Sequence, residues 1–167
     1  MKNTVVVSAF PCCGKTYAFK NYQDKYSILD SDSSQFSWCY EHDPLSSDKI
    51  KKYRNPEFPN NYIEHIKENI GKVDFIFVSS HLQVREALTN AGISFCTVYP
   101  KEEMLNEWVG RMYRRGSVVD FIKFQIEHWD EFMHNITFEP HGFGIIRLGN
   151  NEYLDLDFLY NWSIKYI

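Results

Sequence analysis

Residues 4–16 read Thr4-Val5-Val6-Val7-Ser8-Ala9-Phe10-Pro11-Cys12-Cys13-Gly14-Lys15-Thr16, and this stretch decides the fold. A short β-branched run suits a strand buried on both faces, as in a parallel sheet. Pro11 and Gly14 then predict a turn, with a helix opening near Gly14 to Lys15. The last eight residues match G-x-x-x-x-G-K-[ST], with Ala9 in place of the first glycine. Alanine is small but adopts positive φ less cheaply than glycine. In this context the turn aims successive backbone N–H groups at a bound phosphate. Lys15 then reaches the transferred phosphate and Thr16 offers a hydroxyl to magnesium. The plainer alternative is an ordinary turn with a solvated lysine.

Outward from this segment, strands and helices alternate. Tyr26 to Leu29 forms a second apolar run, closed by Asp30-Ser31-Asp32-Ser33-Ser34. From Trp38 to Pro59 periodicity is weak and Pro44 and Pro56 intervene, which predicts a helical fragment and loops. Tyr62, Ile63, Ile66 and Ile70 share a helical face ending at Gly71, and Val73 to Ser79 is the strongest strand pattern. Ser80 and Gln83 match a capping box for the next helix, Phe95 to Tyr99 reads as a strand, and Leu105, Trp108, Val109 and Met112 form an apolar stripe. One further helix is expected from about Val118 to His134, capped by Ser117, with Val118, Ile122, Ile126, Trp129 and Met133 inward. Phe143 to Leu148 is a last strand, and Leu154 to Tyr160 a short terminal element. Helices of this length between strands call for right-handed crossovers and a parallel sheet covered on both faces.

Composition bounds the function. The 167 residues suit one domain, and 44% hydrophobic residues suffice for a core. Eighteen basic against 22 acidic residues give a net charge of −4, which supplies no general field for nucleic acid, although a local patch remains open. Apolar runs are far shorter than a membrane span, so a soluble, cytoplasmic protein without membrane partners is expected. Of Cys12, Cys13, Cys39 and Cys96, two are adjacent, a poor spacing for disulfides. Cys39 and His42 have metal-like spacing, but no second pair completes a zinc site.

Several polar groups fall where ligands sit in parallel α/β sheets, beyond the C-terminal ends of strands. Asp30 and Asp32 flank Ser31 after the second strand, so both carboxylates can project into one site or bond to the neighbouring serines. Arg111, Arg114 and Arg115 stand at i, i+3 and i+4, so at least two face one way; favourable charge at a helix C-terminus is the plainer alternative, which explains one arginine better than three. His81 follows the third strand and suits either acceptor contact or solvent. Phe36, Trp38 and Tyr40 form a period-two aromatic stripe, suited to stacking on a base or to packing. Arg85 suits phosphate contact or solvent. A helix start nearby is able to lower the Cys12 or Cys13 thiol pKa, but no redox catalysis is inferred from it.

With AFPCCGKT, ILDSDSS, DFIFVSSH and LNEWVGRMYRRG in this order, the chain resembles the P-loop kinases of small molecules and nucleotides, and among them the compact nucleoside monophosphate kinase-like proteins of bacteriophages. The resemblance covers most of the chain, and only its phosphate loop is sharply specific. It implies a three-layer α/β domain over residues 1–167, with a mostly parallel five-stranded sheet in the order 2-3-1-4-5. It implies ATP with Mg2+, and transfer of the γ-phosphate to a nucleoside, nucleotide or nucleotide-like acceptor. A DNA terminus or modified base is an alternative acceptor, and a non-catalytic nucleotide-binding protein an alternative role. Pro11, Cys12, Cys13, Gly14, Lys15, Thr16 and Tyr17 would bind the nucleotide. Thr16, Asp30 and Asp32 would serve the metal, Asp32 would also orient the acceptor hydroxyl and take its proton, and Lys15, Arg111 and Arg115 would serve transfer. The acceptor would bind within about 36–62, and about 108–117 would act as a lid. The third strand departs from the pattern: a Walker B strand ends in Asp, but here Ser79, Ser80 and His81 follow Val78, and Asp74 lies at the opposite end. Oligomeric state is not legible.

Overall fold

A computed structural model of the chain describes residues 1–42 and 50–167. Five strands, β1 (Val5–Ala9), β2 (Ile28–Asp30), β5 (Phe75–Val78), β6 (Phe95–Pro100) and β7 (Ile145–Leu148), form one sheet in the order β2-β5-β1-β6-β7. All four neighbouring pairs are parallel. Between β2 and β5 lie a short helix α2 (Ser34–Ser37) and an antiparallel hairpin of β3 (Trp38–His42) and β4 (Ile50–Arg54). The observed order therefore departs in chain numbering from 2-3-1-4-5, because these two strands stand where a helical fragment and loops were expected; Pro44 lies outside the described residues.

The alternation of β1 builds two cores. Val5, Val7 and Ala9 face one side with Phe75, Phe77, Cys96 and Val98. There α1 (Lys15–Tyr22), α5 (Leu105–Arg114), α6 (Val119–Glu127), α7 (Trp129–Asn135) and α8 (Leu156–Ser163) contribute residues such as Ala18, Trp108, Ile122, Trp129 and Leu159. Val6, Ile76, Val78 and Phe95 face the other side, against Tyr62, Ile63 and Ile66 of α3 (Asn60–Asn69) and Val84 and Leu88 of α4 (Leu82–Asn90). Each fully buried large side chain contributes roughly 1.5–3 kcal/mol. No described helix is long and apolar enough to cross a membrane.

Three local expectations change. The helix predicted over 118–134 is two helices, broken at His128 (φ −104°, ψ 8°); Ile122, Trp129 and Met133 stay inward, but Ile126 is exposed and Val118, which precedes the first of the two, is 71% exposed. Ser117 does not cap it; Val118 precedes it without a side-chain cap. Nor do Ser80 and Gln83 form a capping box, because α4 starts one residue later, after His81, and the Ser80 carbonyl accepts from Arg85 and Tyr99 instead.

Asp74, at the start of β5, is a structural anchor. Its carboxylate accepts from Lys2 Nζ (2.6 Å), the Ser27 backbone N–H (2.8 Å) and the Ser27 hydroxyl (2.6 Å). Partial burial pushes its pKa up, but the Lys2 and Ser27 hydrogen bonds outweigh it and hold the carboxyl below its ordinary value. A depressed carboxyl pKa stabilises the fold above the unfolded value, and that contribution fades as pH falls through the folded one. Asp74→Asn should lower stability at neutral pH by about 1–3 kcal/mol. In thermal denaturation the gap from the parent should close progressively below about pH 4.

Candidate functional site

β1, β2 and β5 run parallel and leave the sheet at one edge, so the segments that follow them meet there. After β1 the chain turns through Phe10–Gly14 into α1. Cys12 (φ 65°) and Gly14 (φ 105°) both take left-handed conformations. Ala9 stays in the strand, paired with Val98, so the missing first glycine has no steric consequence. Glycine is required at Gly14, where a Cβ would lie 2.9 Å from the Tyr153 ring.

Three consecutive carbonyls of this loop are tied down from outside it. Trp108 Nε1 donates to the Pro11 carbonyl (2.9 Å), Arg111 Nη1 to that of Cys12 (3.2 Å) and the Leu154 N–H to that of Cys13 (3.0 Å). In a trans peptide the carbonyl and the following N–H point in opposite directions. The N–H groups of Cys12, Cys13 and Gly14 therefore point away from α5 and the 152–154 segment. Cys13 N–H closes a turn onto the Phe10 carbonyl (3.2 Å). Among the described residues, the N–H groups of Cys12, Gly14, Lys15 and Thr16 have no acceptor. The loop and the first turn of α1 thus offer a row of donors where the helix dipole adds positive potential.

The residues that carry these donors line a cavity of about 630 Å³. It gathers Cys12, Cys13, Gly14, Lys15, Thr16 and Tyr17 with Asp30, Asp32, Arg111, Arg114 and Arg115. Of the residues expected to bind the nucleotide, only Pro11 is outside the lining. Lys15 Nζ pairs with Asp30 Oδ1 (3.2 Å), joining the loop to the exit of β2. Asp32 accepts from the backbone N–H (2.9 Å) and hydroxyl (2.8 Å) of Ser34, which fixes its carboxylate plane. Behind them Tyr62 is buried, donates to the Ser31 carbonyl (2.6 Å) and accepts from the Ser79 N–H (3.4 Å), tying the exits of β2 and β5 together. Its burial pushes its pKa up to about 12.

The arginine cluster divides. Arg111 is 5% exposed and its donors are spent on Glu107 (3.1 Å) and on the Cys12 and Glu152 carbonyls (3.2 and 2.9 Å). Its guanidinium also lies 4.0 Å from the Trp108 ring centroid and 4.2 Å from that of Tyr153. It braces the loop, unlike the mobile lid group expected from its spacing. Arg114 and Arg115 are exposed; Arg115 lines the cavity, donates from Nε to Ser117 Oγ (3.3 Å), and its terminal nitrogens have no partner among the described residues.

Other candidates move. Burial raises the pKa of both Cys12 and Cys13, outweighing the nearby arginines, so neither thiol is activated. Arg85 is neither solvated nor free for phosphate: it is buried and donates to the Ser80 and Pro140 carbonyls and to Glu139. Partial burial, with Arg54 and Arg85 nearby, lowers the His81 pKa. Phe36 packs on Tyr62 and His65, so only Trp38 and Tyr40 of the aromatic stripe lie on the hairpin. Missed by sequence reasoning are Tyr153, which stacks on Tyr17 (4.8 Å, 19°) and covers the loop, and the hydrogen bond of Trp108, which hydropathy marks only as core. An aromatic directly after the polar run Asn150-Asn151-Glu152 is the sole sequence signal for Tyr153.

No protein-family model matches the chain, and no curated protein matches it.

Replacing Arg111 by Ala strands two carbonyls and removes a buried charge from its partner. Urea unfolding should show a loss of about 3 kcal/mol or more. Arg115→Ala should stay within about 0.5 kcal/mol of the parent.

Proposed function

We propose that the chain is a phosphotransferase that moves the γ-phosphate of a nucleoside triphosphate such as ATP to a hydroxyl-bearing nucleoside or nucleotide-like acceptor. The observation that carries this reading is the anchoring of three loop carbonyls from behind, with N–H donors left without acceptors among the described residues on Cys12, Gly14, Lys15 and Thr16, all of which line the cavity. Such a row suits the oxygens of a polyphosphate, and Lys15 adds a movable point charge. The oxygen donors at hand are the Thr16 hydroxyl and the carboxylates of Asp30 and Asp32, all on the same cavity. One or two carboxylates with substrate phosphates suit magnesium, which needs no all-protein cage. Magnesium, when bound, neutralises charge on the phosphate oxygens.

The division of labour follows from position. Asp32 holds a fixed carboxylate at the exit of β2, where an acceptor hydroxyl can lie between it and the loop, and its remaining lone pairs accept the departing proton. Asp30 keeps Lys15 directed across the cavity. Arg115, with unspent guanidinium donors, serves the charge that develops during transfer, and Arg111 holds the loop geometry on which the donors depend. The absence of an aspartate after Val78 favours a second reading, a triphosphate-binding protein without transfer.

Titration calorimetry with ATP and magnesium separates these readings from an ordinary turn. Lys15→Ala should weaken binding at least tenfold with the fold intact; equal affinity in both proteins would overturn the triphosphate site. With labelled ATP and a panel of nucleosides, nucleotides and hydroxyl-bearing oligonucleotides, Asp32→Asn should keep ATP affinity and lose about 10²-fold or more in transfer. Arg115→Ala should lose more in kcat than in donor affinity. Binding with no phosphorylated product from any acceptor would favour the second reading.

A further inference from the structure

The β3–β4 hairpin leaves the main sheet immediately beyond Asp30, Asp32 and α2. The carbonyl of Phe36 is held by the side-chain amides of Asn55 and Asn61 (both 2.9 Å), and the Asn55 N–H donates to the Ser37 carbonyl (3.0 Å), which fixes the hairpin's base. Alternate residues of a strand share a face. The register sets Trp38 opposite Arg54 and Tyr40 opposite Lys52, so these four lie on one face. Glu41 lies on the other, where it accepts from the Tyr53 hydroxyl (2.9 Å).

The shared face concentrates positive charge on aromatic surface. Lys52 Nζ and the Arg54 guanidinium each lie 4.2 Å from the Trp38 ring centroid, and Lys52 lies 6.0 Å from that of Tyr40. A ring attracts a cation but does not neutralise it. Among the described residues neither Lys52 nor Arg54 makes an ion pair, so two like charges crowd one indole. An anion on this face relieves that repulsion. Arg54 also lies near enough to His81 to act on its charge, which places the face beside the exit of β5.

We propose that the hairpin face of Trp38, Tyr40, Lys52 and Arg54 binds single-stranded nucleic acid, the phosphates drawing Lys52 and Arg54 off the Trp38 ring and bases stacking on it and on Tyr40, and that the bound strand carries the acceptor hydroxyl. Only the last clause rests on the phosphotransferase reading. Geometry selects a single strand. Trp38 and Tyr40, two residues apart on a strand, stand about 7 Å from each other. That is twice the roughly 3.4 Å between stacked bases in a duplex strand, so the rings accept splayed bases. Two rings and two cations also exceed what one free nucleotide engages, so affinity rises with strand length. Stacking is tolerant of sequence, because every base has a π face.

Fluorescence anisotropy of the full chain with a labelled oligothymidylate, without triphosphate or magnesium, tests the proposal. Binding should quench tryptophan emission, weaken with salt, and exceed that of thymidine monophosphate and of the matching duplex. Replacing Trp38 and Tyr40 together by Ala should weaken binding tenfold or more; Trp38→Phe, which keeps a ring, should recover most of it. Replacing Lys52 and Arg54 by Gln should flatten the salt dependence by about 0.7 for each phosphate that is no longer neutralised. The Gln variants replace exposed charges, so their circular dichroism and melting should match the parent. Equal binding of the monophosphate, of duplex DNA or of inorganic polyphosphate would overturn the proposal, as would unchanged strand affinity in both the aromatic and the Gln variants. Phosphorylation of free nucleosides by a chain that binds no strand would overturn it too, leaving the phosphotransferase reading intact. Strand binding without any transfer would do the reverse.

Discussion

The orientation of three peptide planes, those following Pro11, Cys12 and Cys13, is the constraint on which the candidate site depends. Left alone, a short loop with one glycine samples many conformations, and its carbonyls compete for the same side as its N–H groups. Here an indole N–H, a guanidinium and a backbone amide each capture one carbonyl from behind. The partners lie far along the chain: Trp108 is 97 residues from Pro11 and Arg111 is 99 from Cys12. The loop therefore gains its final shape only when α5 and the segment before α8 have docked. Burying the Arg111 charge carries a desolvation cost, which Glu107, two carbonyls and the flanking Trp108 and Tyr153 rings offset. A cation placed this way stiffens the loop without occupying the cavity floor.

The sheet supplies the second half of the arrangement. Because β2, β5 and β1 are adjacent and parallel, Asp30, Ser79 and the loop leave from one edge without any long connection. Tyr62, reaching from α3, bonds to both Ser31 and Ser79 and so couples the acid-bearing segment to the segment that ends in His81. Asp32 gains its direction from Ser34, the residue with which α2 begins, and α2 in turn leads into the hairpin. The carboxylates and the aromatic face are thus consecutive parts of one excursion between β2 and β5.

Much of this was readable in the residues, for identifiable reasons. Val5 to Val7 and Phe75 to Val78 are continuous apolar runs, and burial on both faces leaves no other signature. Gly14, Lys15, Asp30 and Asp32 were legible because their places after strands are set by local turns. What escaped depends on distant contacts. Spacing alone makes Arg111 and Arg115 equivalent, and only the docking of α5 on the loop separates them. The hairpin was hidden because Trp38, Tyr40, Lys52 and Arg54 lie on a two-stranded ribbon with no buried hydrophobic stripe among the described residues. The break at His128 was hidden because Ile122, Trp129 and Met133 keep helical spacing across it.

The arginines show how burial and donor accounting sort residues of one type. Arg85 and Arg111 have all three guanidinium nitrogens committed to carbonyls and a carboxylate, and half-buried Arg147 commits both terminal nitrogens to carbonyls. Each sits where two segments meet: α4 with the turn after α7, α5 with the loop, and β7 with α7. Their charge and hydrogen bonds are spent within the fold, so removing one leaves buried acceptors unpaired. Arg54 and Arg115 differ in both respects, being exposed and, among the described residues, keeping donors unspent. A net charge of −4 averages over this division. Of the exposed pair, Arg115 lines the cavity over α1 and Arg54 lies close enough to His81, after β5, to act on its charge.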